Sequence, residues 1–300
     1  MAAPSLPIRN GPSGPSLRQR IGKATPYLLL APGILWLLVF FILPSFQMFL
    51  TSVSTGTLDT GLKLTWSGAA YITSLTKFGP QFENSLIFGG TATLLTFLIG
   101  FPVAYTIAFR GGRWKNFLLF IVIAPFFTSF LIRTISWKVL LLDNGPVLVF
   151  LRDTLHLLPA DATLIGTPIA VIAGITYNFL PFMILPLYVA LEKIDPRLIE
   201  AANDLYASRW GAFRRVTIPL ALPGIFAGSI LTFIPALGDY VNAILLGSPQ
   251  TYMIGNVIQS RFLLLGDYPV AAALSFILMA GILVAVSIYA RALGTEQLTG

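Results

Sequence analysis

Six long apolar stretches dominate this chain and limit it to one class of fold. A helix needs about 20 apolar residues to cross a bilayer, and each stretch is long enough. Of the 300 residues only 10% are charged, whereas soluble domains average about 25%. We therefore predict an all-α integral membrane protein with six transmembrane helices. They are placed at about 27–51, 85–109, 117–140, 167–190, 219–238 and 269–291.

The basic residues are distributed unequally between the two sides of such a bundle. The net charge is +7, with 19 lysine and arginine residues against 12 acidic ones. Most basic residues fall on one side of a six-helix topology, and the positive-inside rule makes that side cytoplasmic. We expect a multi-pass protein of the bacterial inner membrane with both termini in the cytoplasm. The charge is thus a topology signal and gives no support to nucleic-acid binding. The basic residues on that side are Arg9, Arg18, Arg20, Lys23, Arg110, Arg113, Lys115, Lys193, Arg197, Arg209, Arg214, Arg215 and Arg291.

One membrane domain, assigned to residues 27–291, accounts for most of the chain. The segment 1–26 is basic and rich in Pro, Gly and Ser, so we expect a disordered cytoplasmic tail. The apolar run after it is longer than the core of a signal peptide, and we expect the first helix to stay as an anchor. Residues 292–300 are expected to form a short second cytoplasmic tail.

The sequence offers no recognisable catalytic machinery. It has no cysteine, no nucleotide-binding P-loop, no nucleophile elbow and no zinc-binding helix motif. The single histidine, His156, lies in a predicted loop without other metal ligands near it in sequence. We therefore expect no catalytic site, no metal and no cofactor in this chain, which leaves transport, channel and scaffold functions.

The link between the fourth and fifth apolar stretches, Asp195 to Gly224, is more patterned than a spacer needs. Asp195 suits the cap of a helix with Pro196 in its first turn, and Ser208 suits the cap of a second short helix. Apolar and charged residues fall on different faces of the first helix, which predicts a docking surface. The apolar face comprises Leu198, Ile199, Ala202, Leu205 and Tyr206.

The spacing within this link resembles the EAA loop of the permeases of binding-protein-dependent ABC importers. The residues that carry the resemblance are Glu200-Ala201-Ala202, Ala207-Ser208, Phe213, Ile218-Pro219-Leu220 and Pro223-Gly224. Segments 131–145 and 233–247 are similar to the polyamine-type subfamily, the spermidine/putrescine PotB group. We call residues about 192–218 the coupling loop. The resemblance implies a type I ABC importer permease fold and an ATP-driven importer for polyamines or a similar small solute.

The resemblance also implies the partners of the chain. In that family the loop forms short coupling helices that dock on a cytoplasmic ATPase, which itself binds ATP and Mg. The expected partners are two ABC ATPase subunits, a second and related permease subunit, and an extracytoplasmic solute-binding protein. The residues that the resemblance assigns to ATPase coupling are Glu200, Ala201, Ala202, Leu205, Tyr206, Ala207, Ser208, Arg209 and Phe213.

Tyr206 is a departure from the family pattern. The EAA loop usually has glycine there, and glycine lets the chain turn with positive φ at no steric cost. A tyrosine in that conformation costs roughly 1 kcal/mol or more. We therefore expect either a slightly different turn or a partner surface that accommodates the ring.

Polar residues within or beside the apolar stretches are candidates for the substrate pathway. Asp239 is the costliest of them unless it is paired or faces water. It could bind an ammonium group together with aromatic faces, or it could form an ion pair that closes an outer gate, and both interpretations stay open. The pathway candidates are Trp137, Tyr177, Asn178, Asp239 and Tyr240.

Three alternatives remain at this stage. A stand-alone secondary transporter or channel is expected to contain inverted repeats with broken helices in both halves, and no repeat is evident. An intramembrane enzyme requires a nucleophile with a base, and a membrane scaffold requires neither. The amphipathic link itself is also compatible with a helix that rests on lipid headgroups.

Overall fold

The computed structural model describes residues 29–57, 61–159 and 161–293. Residues 1–51 and 52–300 form separate compact units, which are treated individually below. The predicted tail 1–26 lies outside the described residues. Most of the predicted tail 292–300 does so too, although the last helix continues to Leu293.

Helices make up almost all of the described chain. The long ones are α1 (Leu29–Ser52), α3 (Gly79–Arg110), α7 (Pro168–Glu192), α9 (Arg209–Leu237) and α12 (Tyr268–Leu293). The shorter ones are α2 (Ala69–Lys77), α4 (Lys115–Ile123), α5 (Phe130–Leu141), α6 (Pro146–Val149), α8 (Pro196–Asp204), α10 (Val241–Leu246) and α11 (Ile254–Gln259). Two short antiparallel strands, β1 (Ser54–Thr55) and β2 (Lys63–Leu64), pair with Ser54 opposite Leu64.

Six helical segments of the described chain are long and apolar enough to cross a membrane, which confirms the predicted number and the all-α fold. Five of them match the predicted stretches closely, and the third overlaps its prediction only over residues 130–140. They carry internal prolines, such as Pro181 and Pro186 in α7, which membrane helices tolerate where neighbouring groups satisfy the freed carbonyls.

The prediction of one continuous third helix at 117–140 is wrong. The chain forms α4, then a 3₁₀ turn at Ala124–Phe127, and α5 begins only at Phe130. Pro125 in the turn lacks an N–H, and Thr128 adopts an extended backbone, so the helix cannot continue through this point. The segment that meets the membrane-spanning criterion runs from Phe130 to Thr154, further along the chain than predicted.

The first unit is represented by α1, which has an apolar surface exposed along its length. No residue between Leu29 and Thr51 is buried, and Trp36, Phe40 and Phe41 are all largely exposed. Apolar area of this extent is stable only when lipid or another protein covers it. Helix α1 is therefore a membrane helix that does not depend on a core of its own.

The second unit is built around α3, α7 and α9, which pack against one another. Met183, Leu187 and Leu191 of α7 are fully buried at the centre of this contact. A Cβ on Gly228 would lie 2.8 Å from Met183 Sδ, and one on Gly224 would lie 2.7 Å from the carbonyl oxygen of Pro186. These glycines let α9 approach α7 closely, as small residues do in membrane helix pairs.

A second core lies at the end of the bundle where α7 begins, and we call this the α10 end. There α10 packs against α5 and α7, and Val171, Ile175 and Leu246 are fully buried. A smaller cluster joins α2 to α12 and includes Leu274. The coupling loop lies at the opposite end, where the end of α7 contacts the start of α4.

Replacing Gly228 with valine is expected to destabilise the protein by about 1–3 kcal/mol, because the new side chain meets the α7 backbone as well as a side chain. The measurement is thermal unfolding of the purified protein in detergent. Gly281→Val in α12 is the matched control, since nothing lies within 4 Å of the added Cβ. Equal melting temperatures for the two variants would contradict the α7–α9 packing.

Candidate functional site: the coupling loop and the polar cluster

The coupling loop begins with a capped helix, as predicted. Asp195 has an extended backbone, and its Oδ1 accepts a hydrogen bond of 2.9 Å from the backbone N–H of Arg197. Pro196 occupies the first turn of α8, where its missing N–H costs nothing. These contacts fix where α8 starts and therefore the direction in which it leaves the bundle.

The turn after α8 passes through Tyr206, which has φ +62°. The backbone N–H of Tyr206 donates to the carbonyl of Asn203 at 3.0 Å, and that of Leu205 donates to Ala201. Ser208 then caps α9 by accepting from the N–H of Gly211 at 3.1 Å, as predicted. Tyr206 thus has a left-handed backbone, which glycine adopts at no steric cost, and the two expected explanations for the tyrosine stay predictions.

The second helix of the loop is anchored to the bundle through an aromatic cluster. Phe213 lies edge-on to Phe101, with ring centroids 5.6 Å apart, and to Tyr105 at 6.1 Å, both on α3. Trp210 stacks on Phe213 at 5.4 Å. Phe213 therefore joins the exposed loop to the core of α3, whereas the other predicted coupling residues lie on the surface or near it.

The N-terminal root of the loop is held by a group that sequence reasoning did not single out. Lys115 at the start of α4 forms an ion pair with Glu192 and lies 5.3 Å from the centroid of the Tyr188 ring. The hydrogen bond to Glu192 raises the pKa of Lys115 above its usual value. The pair contributes little stability at the surface, but it fixes the end of α7 against α4 immediately before Asp195.

The outer surface of the coupling loop is apolar at its tip. Tyr206 is 99% exposed, Leu205 82% and Trp210 68%. Around this tip lie small and charged residues, including Ala201 and Glu200, both exposed on α8. The coupling loop thus presents exposed apolar side chains close to two helices, α8 and α9, each of which is capped at its N-terminus.

Three of the five predicted pathway residues lie in or beside a buried polar cluster at the α10 end. Asp239 is only 6% exposed, and its Oδ1 accepts from the backbone N–H groups of Val241 at 2.9 Å and Asn242 at 3.1 Å. Its Oδ2 accepts from the side-chain amide of Asn242. The carboxylate is therefore occupied in capping α10.

The cluster continues from Asn242 across to α7 and α5. Nδ2 of Asn178 donates to Oδ1 of Asn242 at 3.2 Å and to Oγ1 of Thr134 at 3.0 Å. Tyr240 adjoins this network only through its backbone, since its carbonyl accepts from Asn256 while its side chain is partly exposed. No ion pair joins Asp239 to a basic side chain within residues 61–159 and 161–293.

The two remaining pathway candidates form an aromatic pair. The rings of Trp137 on α5 and Tyr177 on α7 lie 5.4 Å apart. Arg133, on α5 near them in sequence, has its guanidinium 5.2 Å from the Phe126 ring and 5.8 Å from the Phe130 ring. The structure brings the candidates to one end of the bundle, but whether any of them binds substrate stays a prediction.

A groove of about 840 Å³ runs between α7 and α9 towards the coupling loop. Its walls are apolar and include Phe182, Pro186 and Leu231, while Asp195 and Leu198 border its end at the loop. No cluster of metal-ligating side chains occurs among the residues that the structure describes. Asp195 and Leu198 thus belong both to the coupling loop and to the lining of the groove, so a movement of the loop would change the groove between α7 and α9.

Six helical segments long enough to cross a membrane, with an exposed two-helix loop between two of them, define a polytopic membrane protein. The family model described as "Binding-protein-dependent transport system inner membrane component" matches residues 96–292. This chain belongs to that family, which confirms the resemblance seen in the sequence, and it is a multi-pass protein of the inner membrane.

Curated relatives are similar to this chain in sequence over most of its length. It is 43% identical over 209 residues to the spermidine/putrescine transport system permease protein PotB of Haemophilus influenzae, which covers 70% of this chain and 73% of that protein. The protein of the same name from Escherichia coli is 37% identical over 246 residues, or 81% of this chain and 88% of the relative.

Two solved structures share the fold. A bacterial ABC transporter involved in the import of the acidic polysaccharide alginate matches with a TM-score of 0.70 and 22% identity, over 95% of this chain and 99% of that one. The MetNI methionine ABC transporter, in inward-facing conformations, matches with a TM-score of 0.53 and 22% identity, over 71% of this chain and 94% of that one. The fold is that of type I ABC importer permeases.

Replacing Asp239 with alanine is expected to lower the melting temperature, because the α10 cap is worth about 1 kcal/mol and the amide of Asn242 is left unpaired at about 1–3 kcal/mol. Asp239→Asn keeps one acceptor for the two backbone N–H groups and is expected to melt between wild type and Asp239→Ala. Wild-type melting of the alanine variant would contradict the capping role. Full polyamine uptake by the asparagine variant would exclude Asp239 as an ammonium ligand.

Proposed function

We propose that this protein is the permease subunit of an ATP-driven importer for polyamines such as spermidine and putrescine, or for a similar small solute. The observation that carries the ATP-driven part is the coupling loop, a capped and exposed surface rooted directly on α3 and α7. The identity of 43% with a permease named for spermidine and putrescine supports the cargo.

The coupling loop is proposed to dock on a cytoplasmic ATPase subunit. Ala201 and Ala202 permit close approach, and Glu200 and Arg209 can pair with charges on the partner. A push on the loop reaches α3 through Phe213. These contacts give a physical route from nucleotide-driven closure to the packing of the bundle.

The remaining partners follow from the same proposal. One chain supplies one coupling loop while the motor has two ATPase subunits, so a second permease subunit is required, and we propose a related, non-identical chain. A solute-binding protein delivers the cargo at the α10 end, and both termini lie in the cytoplasm, as the basic residues indicate. ATP and Mg²⁺ bind the ATPase subunits, and this chain carries no catalytic site or cofactor.

The cargo is proposed to contact aromatic side chains rather than the carboxylate of Asp239. The Trp137 and Tyr177 rings form a paired surface, and Tyr240 exposes a third ring at the same end of the bundle. Ammonium groups bind favourably over such faces. Asp239 is buried and already accepts three hydrogen bonds, so we assign it to positioning α10 and Tyr240 rather than to direct contact.

A stand-alone secondary transporter or channel is the alternative function. The broken third helix is a feature that such transporters share. The importer is favoured by the exposed apolar tip of the coupling loop, which fits docking on a partner protein.

Reconstitution distinguishes the two functions. Proteoliposomes that contain the complete complex, with the binding protein on the receiving side, are expected to accumulate labelled spermidine only when ATP is supplied to the ATPase. The same vesicles without ATPase subunits are the control and are expected to show no uptake. Uptake in the control would favour the secondary transporter, and ATP-dependent uptake of another solute alone would overturn only the polyamine assignment.

Replacing Ala201 with tryptophan is expected to weaken ATPase binding by at least about tenfold, because the ring holds the two surfaces apart where an alanine permits contact. Binding of the purified ATPase to the permease pair in nanodiscs measures this. Ala69→Trp, at the start of α2 and likewise exposed, is the matched control. Equal ATPase affinity for both variants would contradict docking on α8.

A further inference from the structure

Tyr206 holds an unfavourable backbone conformation that its own chain does not compensate. It is one of three non-glycine residues with positive φ in the described part of the chain, together with Trp66 and His156. The hydrogen bond from its N–H to Asn203 is a backbone contact, which a glycine would make equally well. The backbone strain therefore arises because the residue at this position has a Cβ, which glycine lacks.

The Tyr206 side chain gains nothing within the chain that offsets this strain. It is 99% exposed. No ring contact, ion pair or side-chain hydrogen bond involves it among the residues that the structure describes. Strained residues that persist without internal compensation point to a function outside the folded chain.

Tyr206 is one of three largely exposed apolar side chains of the coupling loop, which we call the Tyr206 patch and define as Leu205, Tyr206 and Trp210. The patch is rigid, because Ala207 donates a backbone hydrogen bond to Ala202 and Trp210 stacks on the anchored Phe213. A tyrosine on a preorganised frame contributes large contact area at a small cost in conformational entropy, which is typical of interface anchors.

The charges around the patch favour a protein partner over a lipid surface. Helices that rest on headgroups have lysine and arginine on their polar face. The exposed charges of the coupling loop are of both signs: Arg197, Glu200 and Asp204 on α8, and Arg209, Arg214 and Arg215 on α9. Acidic side chains are repelled by anionic lipids, whereas a surface of mixed charge matches a protein cleft.

We propose that Tyr206 is an anchor for the ATPase subunit, that its ring fills an apolar pocket on that partner, and that this contact selects which ATPase the permease accepts. The proposal rests on the docking role of the coupling loop. A polar group within the pocket would pair with the phenol oxygen. An ATPase that lacks this pocket would clash with the ring and would therefore be rejected.

The test uses the complete permease pair in detergent and in nanodiscs, titrated with the purified cognate ATPase. Tyr206→Gly and Tyr206→Asn both relieve the backbone strain and remove the ring. Each is expected to lower ATPase affinity by about tenfold or more, although the loop itself is relaxed. Tyr206→Phe keeps the ring and is expected to remain within about threefold of wild type.

His156→Gly is the matched control, because it relaxes an exposed positive-φ residue away from the coupling loop. It is expected to leave ATPase affinity unchanged. A second arm uses an ATPase from a relative whose permease has glycine at this position. That ATPase is expected to bind Tyr206→Gly more tightly than wild type, and the reverse order would contradict selection by the ring.

Wild-type affinity of both Tyr206→Gly and Tyr206→Asn for the cognate ATPase would overturn the proposal. A loss of affinity in nanodiscs but not in detergent would assign the ring to the lipid surface and would also overturn it. The docking role of the loop is tested separately by Ala201→Trp. If that variant abolishes binding while the Tyr206 variants do not, the docking role stands and only the anchor is excluded.

Discussion

Close backbone contact between α7 and α9 is the constraint on which the rest of this protein depends. Lipid gives two apolar helices no hydrophobic reason to associate, so packing must supply the attraction. Gly224 and Gly228 let α9 lie on the α7 backbone near Met183 and Pro186. Because the coupling loop connects precisely these two helices, its two ends are fixed relative to each other. A loop held in this way can transmit a push.

At the α10 end, polar groups are buried next to an apolar core and must be stabilised by hydrogen bonds. Asp239 is stabilised by accepting hydrogen bonds from Val241 and Asn242, and Asn242 in turn accepts from Asn178. Removing one of these groups would leave its hydrogen-bond partner buried and unpaired, which costs the desolvation free energy of that partner. The network therefore favours one position of α10 relative to α7.

Much of this structure could be predicted because it depends on local chemistry. Apolar length identifies membrane helices, and the caps at Asp195 and Ser208 follow from side-chain preferences a few residues apart. The break near Pro125 was not predicted, because a proline within a long apolar stretch is also compatible with a continuous membrane helix. The ion pair of Lys115 with Glu192 and the enclosure of Asp239 depend on contacts between distant segments, which no local pattern records.

Both the sequence and the structure are needed to interpret Tyr206. The sequence identifies it as a departure from the glycine of related loops, and only the structure shows that its backbone is left-handed. A glycine in this turn, or a turn with negative φ at the tyrosine, would avoid the backbone strain, and the protein has neither. Trp210 stacks on Phe213, and Phe213 contacts Phe101 in the bundle, so a partner bound to the whole Tyr206 patch would also contact a residue that is linked to α3. Binding strength and mechanical coupling would then reside in the same few residues.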